Sequence, residues 1–164
     1  MLEQVTELFG NSLVDVVNIM ADQQLEIIEH RESSSVMERG EPGVVSIVGF
    51  SSDKTEGRSM LWVSKAAALT LAEKVSGAEA DTYLDDMVLF TVAELNNMLS
   101  GQSTTFLNNK YDLSLRLSPP SIIAGEEFSM ETPALKSRYI RVELFDQPII
   151  LDIALKEGEE AWTE

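Results

Sequence analysis

Apolar residues recur at spacings of three and four near the start of the chain, the pattern of an α-helix with one buried face. The first segment, 2–20, predicts an amphipathic helix that packs on a sheet. Its apolar positions are Val5, Leu8, Phe9, Leu13, Val16, Val17 and Met20. The second segment, 64–77, has Ser64 as a suitable N-cap and Gly77 as a residue that can end a helix. Both segments are therefore predicted to be helices.

A third helix is predicted to begin near Thr82, where Thr82 and Asp85 have the spacing of a capping box, and to run to about Gly101 or a turn beyond. At about 100° per residue, its apolar side chains form one stripe, which is the side expected to face the core. The stripe consists of Leu84, Val88, Thr91, Leu95, Met98 and Leu99.

Shorter runs rich in β-forming residues lie between the predicted helices. Residues 25–29 have the pattern of a short strand, and 30–43 that of a polar connection broken by glycine and proline. Two β-rich runs, 44–50 and 59–64, are predicted to form a hairpin with Gly57 at its turn.

Strands also dominate the part of the chain after the third helix. The predicted strands are 113–118, 138–145 and 148–155. One turn is predicted over 118–125 and a tight turn at Asp146 and Gln147, and 157–164 is expected to fray. Helices mixed with hairpin-connected strands indicate an α+β fold with a largely antiparallel sheet.

Length and composition favour one globular domain, 1–164, with a core that needs no disulfides or metals. Hydrophobic residues make up 44% of the chain, which argues against disorder. The absence of cysteine excludes disulfides, a thiolate nucleophile and cysteine-based zinc sites. The N-terminal segment is acidic and amphipathic, unlike an export signal, and no apolar run approaches the roughly 20 residues of a membrane span. We therefore expect a soluble cytoplasmic protein.

The chain is strongly acidic, with a formal net charge of −16 from 28 acidic and 12 basic residues. Because this charge repels phosphates and the basic residues are not clustered, no nucleic-acid partner is expected. The acidity suits either solubility alone or a partner with a basic face.

Glu94 and Asn97 are the most suggestive pair in the third helix. Residues three apart on a helix have Cβ atoms about 5–6 Å apart, so both can reach one small target. They project about 90° and about 150° from the centre of the apolar stripe, toward solvent or a partner. Phe90, Ala93 and Gly101 flank them on this outer face, a combination that another protein could approach closely. The alternative is that Phe90 is covered by another helix of the chain and that the pair is ordinary surface.

The run AELNNMLSG resembles the signature helix of the CheC/CheX chemotaxis phosphatases, and it is most similar to the CheX branch. The family pattern is an Asp or Ser, three residues, Glu, two residues, Asn, then 22 residues and a Pro. Glu94 and Asn97 fit this pattern, and Pro120 falls at the required distance. CheC carries two copies of the motif. Here Glu7 is followed three positions later by Gly10, so the resemblance implies a single site.

The resemblance implies hydrolysis of the aspartyl phosphate on a receiver domain of the CheY type. The receiver would supply Mg²⁺ as well as the phosphoryl group, so this chain is expected to bind no cofactor. Asn97 is expected to hold the attacking water, and Glu94 to pair with the receiver lysine beside the phosphate. Pro120 is expected to shape a loop against the motif helix. The resemblance also implies a homodimer formed through sheet edges.

Phe90 stands where the family pattern has Asp or Ser, and this departure leaves three functions open. The first is the phosphatase. The second is a non-catalytic module that binds a receiver domain or another signalling protein. The third is a structural role in which the Phe90 face is buried in a homodimer.

Other arrangements of chemically active residues are weak. His30 is the only histidine, which excludes a multi-histidine metal site, and it is expected to lie on a polar loop. Asp81, Asp85 and Asp86 could bind a cation, but acids are also usual in the first turn of a helix. The sequence has no glycine-rich phosphate-binding loop.

Overall fold

Three helices packed on one face of an antiparallel sheet form the framework of the protein. The computed structural model describes residues 1–33, 36–131, 135–156 and 162, and for residues 31–33, 36 and 37 it describes the backbone alone. Within these residues the helices are α1 (Leu2–Ala21), α2 (Lys65–Ser76) and α3 (Asp86–Tyr111). The strands are β1 (Ile27–Ser33), β2 (Val36–Arg39), β3 (Gly43–Ser51), β4 (Glu56–Ser64), β5 (Arg116–Leu117), β6 (Ser121–Gly125), β7 (Phe128–Glu131), β8 (Lys136–Leu144) and β9 (Gln147–Leu155).

The main sheet has the strand order β1-β8-β9-β4-β3-β5, with β6 also paired along β3. Every pair is antiparallel. A separate ribbon of β2 and β7 lies outside this sheet. The predicted α+β fold with a largely antiparallel sheet is confirmed.

The core lies between the helices and one face of the sheet. It combines the buried faces of α1, α2 and α3 with alternate residues of the central strands, such as Val44, Leu61 and Leu151. A smaller apolar cluster around Trp62 occupies the opposite face, where the Arg39 guanidinium stacks 4.4 Å from the ring centroid. Burial on both faces explains why β9 is apolar along nearly its whole length.

The first two helices agree with the sequence prediction. In α2 the Ser64 Oγ accepts a hydrogen bond from the Ala67 backbone N–H at 3.4 Å, as an N-cap should. Gly77 ends the helix with φ 72°, and its N–H donates to the Glu73 carbonyl at 2.8 Å.

The predicted start and end of the third helix are wrong. Asp85, not Thr82, is the N-cap, and no side-chain bond caps the helix. The Asp85 carboxylate instead accepts a bond from the Asp81 backbone N–H at 3.0 Å and so stabilises the preceding turn. Leu84 lies in that turn and is exposed, so it does not belong to the core stripe. The other five stripe residues are buried or packed on the core. The helix continues to Tyr111, because apolar packing continues along it.

Several connections and strands were also predicted incorrectly. The polar connection 30–43 contains the rest of β1 and all of β2, and the turn 118–125 contains β6. The strand 113–118 is reduced to the two residues of β5, after Ser114 with φ 55°. The conformation of such segments depends on strands that are distant in sequence. In β6, for example, the backbone groups pair along the edge of β3.

The turn of the β8–β9 hairpin also departs from prediction. The tight turn is formed by Phe145 and Asp146, both with positive φ, rather than by Asp146 and Gln147. Of the segment 157–164, only Trp162 lies within the described residues. Its ring meets the Tyr111 ring edge-on, with centroids 5.5 Å apart.

Gly57 lies inside β4 and not at the hairpin turn. The turn is closed instead by the Ser52 N–H, which donates to the Thr55 carbonyl at 2.8 Å. A Cβ on Gly57 would stand 2.5 Å from the Phe50 ring and 2.6 Å from the Ala154 carbonyl oxygen. The glycine is therefore required by the close approach of a ring and a backbone, not by turn geometry.

Asn96 attaches the middle of α3 to the sheet. Its side chain is completely buried. The amide nitrogen donates to the carbonyl of Ser46 at 2.9 Å and to that of Ser59 at 3.2 Å. The amide oxygen accepts from the hydroxyls of Ser59 at 2.8 Å and Ser100 at 3.2 Å. Because these bonds require the amide to face the strands, they fix the rotation of α3 about its axis.

Replacing Gly57 tests whether close packing requires the glycine. Gly57→Ala is expected to lower the free energy of unfolding by about 1–3 kcal/mol, because the new methyl group overlaps the Phe50 ring. Urea unfolding followed by circular dichroism measures the change. Gly40→Ala is the matched control, since no atom lies within 4 Å of its added Cβ. A loss no larger than that of the control would contradict the packing explanation.

Replacing Asn96 tests the attachment of α3. Asn96→Ala is expected to lower the free energy of unfolding by about 2 kcal/mol or more, because buried hydroxyl and carbonyl groups lose their partner. Asn97→Ala, at the next position, removes a half-buried amide. It should change the free energy of unfolding by less than about 0.5 kcal/mol. If urea unfolding shows equal losses of stability for the two substitutions, the buried hydrogen bonds of Asn96 do not stabilise the fold more than an ordinary surface residue does.

Candidate functional site

The rotation of α3 places Glu94 and Asn97 on the side of the helix that faces away from the sheet. At about 100° per residue, Asn97 lies about 100° and Glu94 about 160° from the buried Asn96. Phe90 and Gly101 fall between these directions by the same geometry, at about 120° and 140°. Glu94 is exposed, and Asn97 and Gly101 are half-buried. The sequence prediction that Glu94 and Asn97 point outward agrees with the structure.

Phe90 is not covered by another helix. Its side chain is 69% exposed, so the alternative interpretation of Phe90 as an internal packing residue is wrong. Ala93 differs from its predicted neighbours, because it is only 9% exposed and offers little surface to a partner. The structure therefore brings Phe90, Glu94, Asn97 and Gly101 together on one face and leaves Ala93 at its buried margin.

The polar groups of this face are available for an external partner. Among the residues that the structure describes, neither the Glu94 carboxylate nor the Asn97 amide makes a side-chain hydrogen bond or an ion pair. The adjacent Asn96 has both ends of its amide bonded internally. An unengaged asparagine amide can donate two hydrogen bonds and accept two at neutral pH without ionising.

The segment that contains Pro120 is held beside α3. The Ser118 N–H donates to the Gly49 carbonyl, and the Gly49 N–H donates to the Ser118 hydroxyl, both at 2.8 Å. One residue earlier, the Leu117 side chain lies 3.9 Å from the place where a Cβ on Gly101 would stand. Pro120 itself is half-buried and precedes β6, which pairs with β3. A Cβ at Gly101 would make only an ordinary van der Waals contact with Leu117, so the segment lies against the helix without requiring the glycine.

The stretch of chain that carries Glu94 and Asn97 has acidic residues and no basic residue. The sequence contains no lysine, arginine or histidine between Lys74 and Lys110, whereas Asp85, Asp86 and Glu94 lie in this interval. A phosphoryl group is held in proteins by cations or by clustered N–H donors. The face can therefore attract a cation of a partner, but cannot by its own charge retain a phosphate.

Glu94 is exposed on the surface of α3, and Asn97 is half-buried beside it. A cleft of about 560 Å³ lies between the β3–β4 turn and the C-terminal end of α3, and its lining includes Lys54 and Arg116 but neither Glu94 nor Asn97.

Among the described residues, no group of three or more His, Asp or Glu side chains could hold a metal ion. His30, predicted on a loop, is exposed on β1. In the described part of the chain, no helix is long and apolar enough to cross a membrane.

Sequence reasoning missed the residues that support the site. The sequence pattern does not single out Asn96, which lies beside the motif and carries the bonds that orient the helix. The available signal was the set of single hydroxyl residues within apolar runs, Ser46, Ser59 and Ser100, which are all buried. Ser118 was equally missed, because its partner Gly49 is distant in sequence.

Comparison with known proteins supports the resemblance seen in the motif. The family model for the chemotaxis phosphatase CheX matches residues 44–142, a span that contains Glu94, Asn97 and Pro120. No curated protein is similar enough in sequence to be matched to the chain.

Solved structures with the same fold include several CheX proteins. The chemotaxis protein CheX from Vibrio vulnificus superimposes with a TM-score of 0.82 at 17% identity, over 93% of this chain and 99% of that one. A CheC-like superfamily protein from Shewanella sp. PV-4 has a TM-score of 0.82 at 19% identity, over 94% and 97% of the two chains. CheX from Borrelia burgdorferi, solved in complex with CheY, BeF3 and Mg²⁺, has a TM-score of 0.73 at 26% identity, over 92% and 97%.

The family model covers more than half of the chain, and the solved CheX and CheC-like structures match nearly all of it. The chain therefore belongs to the CheX family of chemotaxis phosphatases.

Proposed function

We propose that this protein hydrolyses the aspartyl phosphate of a CheY-type receiver domain, with Asn97 and Glu94 as its working groups. The observation that carries the proposal is a half-buried amide and an exposed carboxylate, both without internal partners, on a helix whose rotation is fixed by Asn96. The family supports the proposal, as does the CheX of Borrelia burgdorferi that was solved in complex with CheY.

The reaction requires little covalent chemistry from the protein. A water oxygen attacks phosphorus as the bond between phosphorus and the aspartyl oxygen breaks. The receiver aspartate leaves as a carboxylate, and the water protons remain with inorganic phosphate and solvent. Catalysis then depends mainly on positioning the water and on compensating the phosphoryl charge.

Asn97 is the proposed positioning group for the water. Its amide oxygen can accept a hydrogen bond from the water while its NH₂ group donates to a phosphoryl oxygen. Since the amide does not ionise, this role is insensitive to pH near neutrality. The half-buried setting and the fixed helix limit the freedom of the side chain, which favours a single orientation of the water.

Glu94 is the proposed docking group. An exposed carboxylate without an internal ion pair can form a charge-assisted bond to a lysine of the receiver. Because Glu94 is one turn from Asn97, this bond would set the register in which Asn97 enters the receiver site.

The cation that compensates the phosphoryl charge belongs to the receiver in this proposal. The helix face has no basic residue between Lys74 and Lys110. Mg²⁺ held by the receiver would therefore supply the charge that this chain lacks, and no cofactor would reside on this chain.

A non-catalytic binding module is the second candidate, and Phe90 favours it. The CheC/CheX motif has Asp or Ser at this position, and an exposed aromatic ring there adds docking surface without adding a polar group. Such a module would bind the receiver and leave its phosphate lifetime unchanged.

A homodimer remains part of the proposal. Among the described strands, β1 pairs only with β8, and β6 only with β3, so each has one edge without a partner. An unpaired strand edge can add a strand from a second copy. Sedimentation equilibrium tests this assembly independently of activity.

Asn97→Ala tests the catalytic role. The variant is expected to lose the acceleration of receiver dephosphorylation by about 100-fold or more, because the attacking water is no longer aligned. Release of inorganic phosphate from phosphorylated receiver domains with Mg²⁺ measures the rate. Asn109→Ala, which removes an exposed asparagine from the end of the same helix, should retain the rate. Wild-type protein that binds the receiver without accelerating phosphate release would favour the binding module.

Glu94→Gln tests the docking role. Loss of one charge-assisted bond, about 1.5–3 kcal/mol, should weaken binding of the receiver by about tenfold or more. The difference between wild type and variant should shrink as salt is added, since screening weakens the ion pair. Isothermal titration at two salt concentrations measures both effects. Glu7→Gln removes an exposed carboxylate from α1 and should behave like wild type, so equal weakening by both would point to net charge alone.

A further inference from the structure

We infer that Phe90 is the residue by which this protein selects its receiver, through insertion against an apolar patch beside the receiver's phosphorylation site. The inference rests on the proposed function, because it assigns a partner to the same helix face. It adds a chemical requirement on that partner which Glu94 and Asn97 do not impose.

The exposure of Phe90 sets it apart from the other apolar residues in the first half of α3. Val88, Val92 and Leu95 are completely buried in the core, whereas the Phe90 side chain is 69% exposed. No described residue makes a ring contact with it. A large aromatic side chain exposed beside polar groups is typical of an interface anchor.

The position of Phe90 makes contact with any partner of Asn97 unavoidable. Phe90 lies four positions before Glu94 and seven before Asn97, which correspond to axial distances of about 6 Å and 10 Å. In projection Phe90 lies within about 20° of Asn97 and about 40° of Glu94. A folded domain that brings a phosphoryl group to Asn97 must therefore also cover the Phe90 ring.

We infer that the surface that covers the ring is apolar. An acidic or uncharged polar receiver residue opposite Phe90 would lose its hydration without gaining a hydrogen bond. Since the helix has no basic residue in this interval, a carboxylate of the receiver would find no compensating charge there. The face thus requires a receiver with a lysine for Glu94 and, about one helical turn away, an apolar patch for Phe90, and it discriminates against receivers that lack the patch.

The chain offers a matched control on the same helix. Phe106 is also an exposed phenylalanine, with 51% of its surface accessible. It lies about 24 Å further along the axis and about 160° around it from Phe90. A receiver that engages Asn97 cannot touch Phe106, so the two phenylalanines separate docking from a general effect of surface hydrophobicity.

The test combines steady-state dephosphorylation with binding. Phe90→Ala, Phe90→Leu and Phe106→Ala are assayed on phosphorylated receiver domains of the same cell with Mg²⁺, and their dissociation constants are measured on the BeF3-loaded receiver. Phe90→Ala is expected to raise KM and the dissociation constant by about 10- to 100-fold, with kcat unchanged within about twofold. Phe90→Leu should recover most of the loss, because it retains an apolar side chain. Phe106→Ala should match wild type.

Other outcomes overturn the inference. A fall in kcat at unchanged KM would make Phe90 part of the reaction geometry and not an anchor. Unchanged binding by Phe90→Ala, or equal losses in Phe90→Ala and Phe106→Ala, would remove its selective role. Dissociation of a dimer on Phe90→Ala without a change in receiver affinity would assign the ring to a second copy of the chain.

The same measurements distinguish failure of the proposed function from failure of the inference about Phe90. Wild-type protein that binds the BeF3-loaded receiver but does not accelerate dephosphorylation would refute the phosphatase, while the dissociation constants of the variants would still decide the role of Phe90. Wild-type protein that binds no receiver would refute both.

Discussion

The hydrogen bonds around Asn96 are the constraint on which the site depends. A buried primary amide must have its donors and acceptors satisfied, and here two strands and the next turn of the helix provide the partners. Rotating α3 by even one residue would withdraw the amide from Ser46 and Ser59. The outward direction of Glu94 and Asn97 therefore follows from the polar contacts that Asn96 makes on the buried face of the same helix.

Two adjacent asparagines have the same side chain but different roles, because the fold places them in different surroundings. Asn96 is buried with its amide bonded internally, so it contributes to structure and is unavailable to a ligand. Asn97 is half-exposed and has no side-chain partner among the described residues. Asn96 therefore stabilises the fold, whereas Asn97 remains able to bind a partner. A group that is already bonded within the protein must first break that bond before it can act on a substrate.

The features predictable from sequence were those fixed by nearby residues. The limits of α2 depend on Ser64 and Gly77, and the buried face of α3 follows from its apolar period, so both were predicted. The strands β2 and β6 were missed because their pairing is decided by distant segments. The role of Gly57 was assigned wrongly, because a local pattern does not reveal the approach of the Phe50 ring. The outward position of Glu94 and Asn97 came from helix geometry, whereas Asn96 required the strands to be in place.

The charge distribution explains why such a site would depend on its partner. A helix face without a basic residue between Lys74 and Lys110 repels free phosphate and offers no cation to hold it. Only a phosphoryl group whose charge is already compensated, as by Mg²⁺ and lysine in a receiver, can approach Glu94 and Asn97 favourably. This electrostatic exclusion would disfavour phosphate esters that carry no bound cation. Discrimination between receivers would then depend on the uncharged part of the face, where Phe90 is the largest exposed side chain.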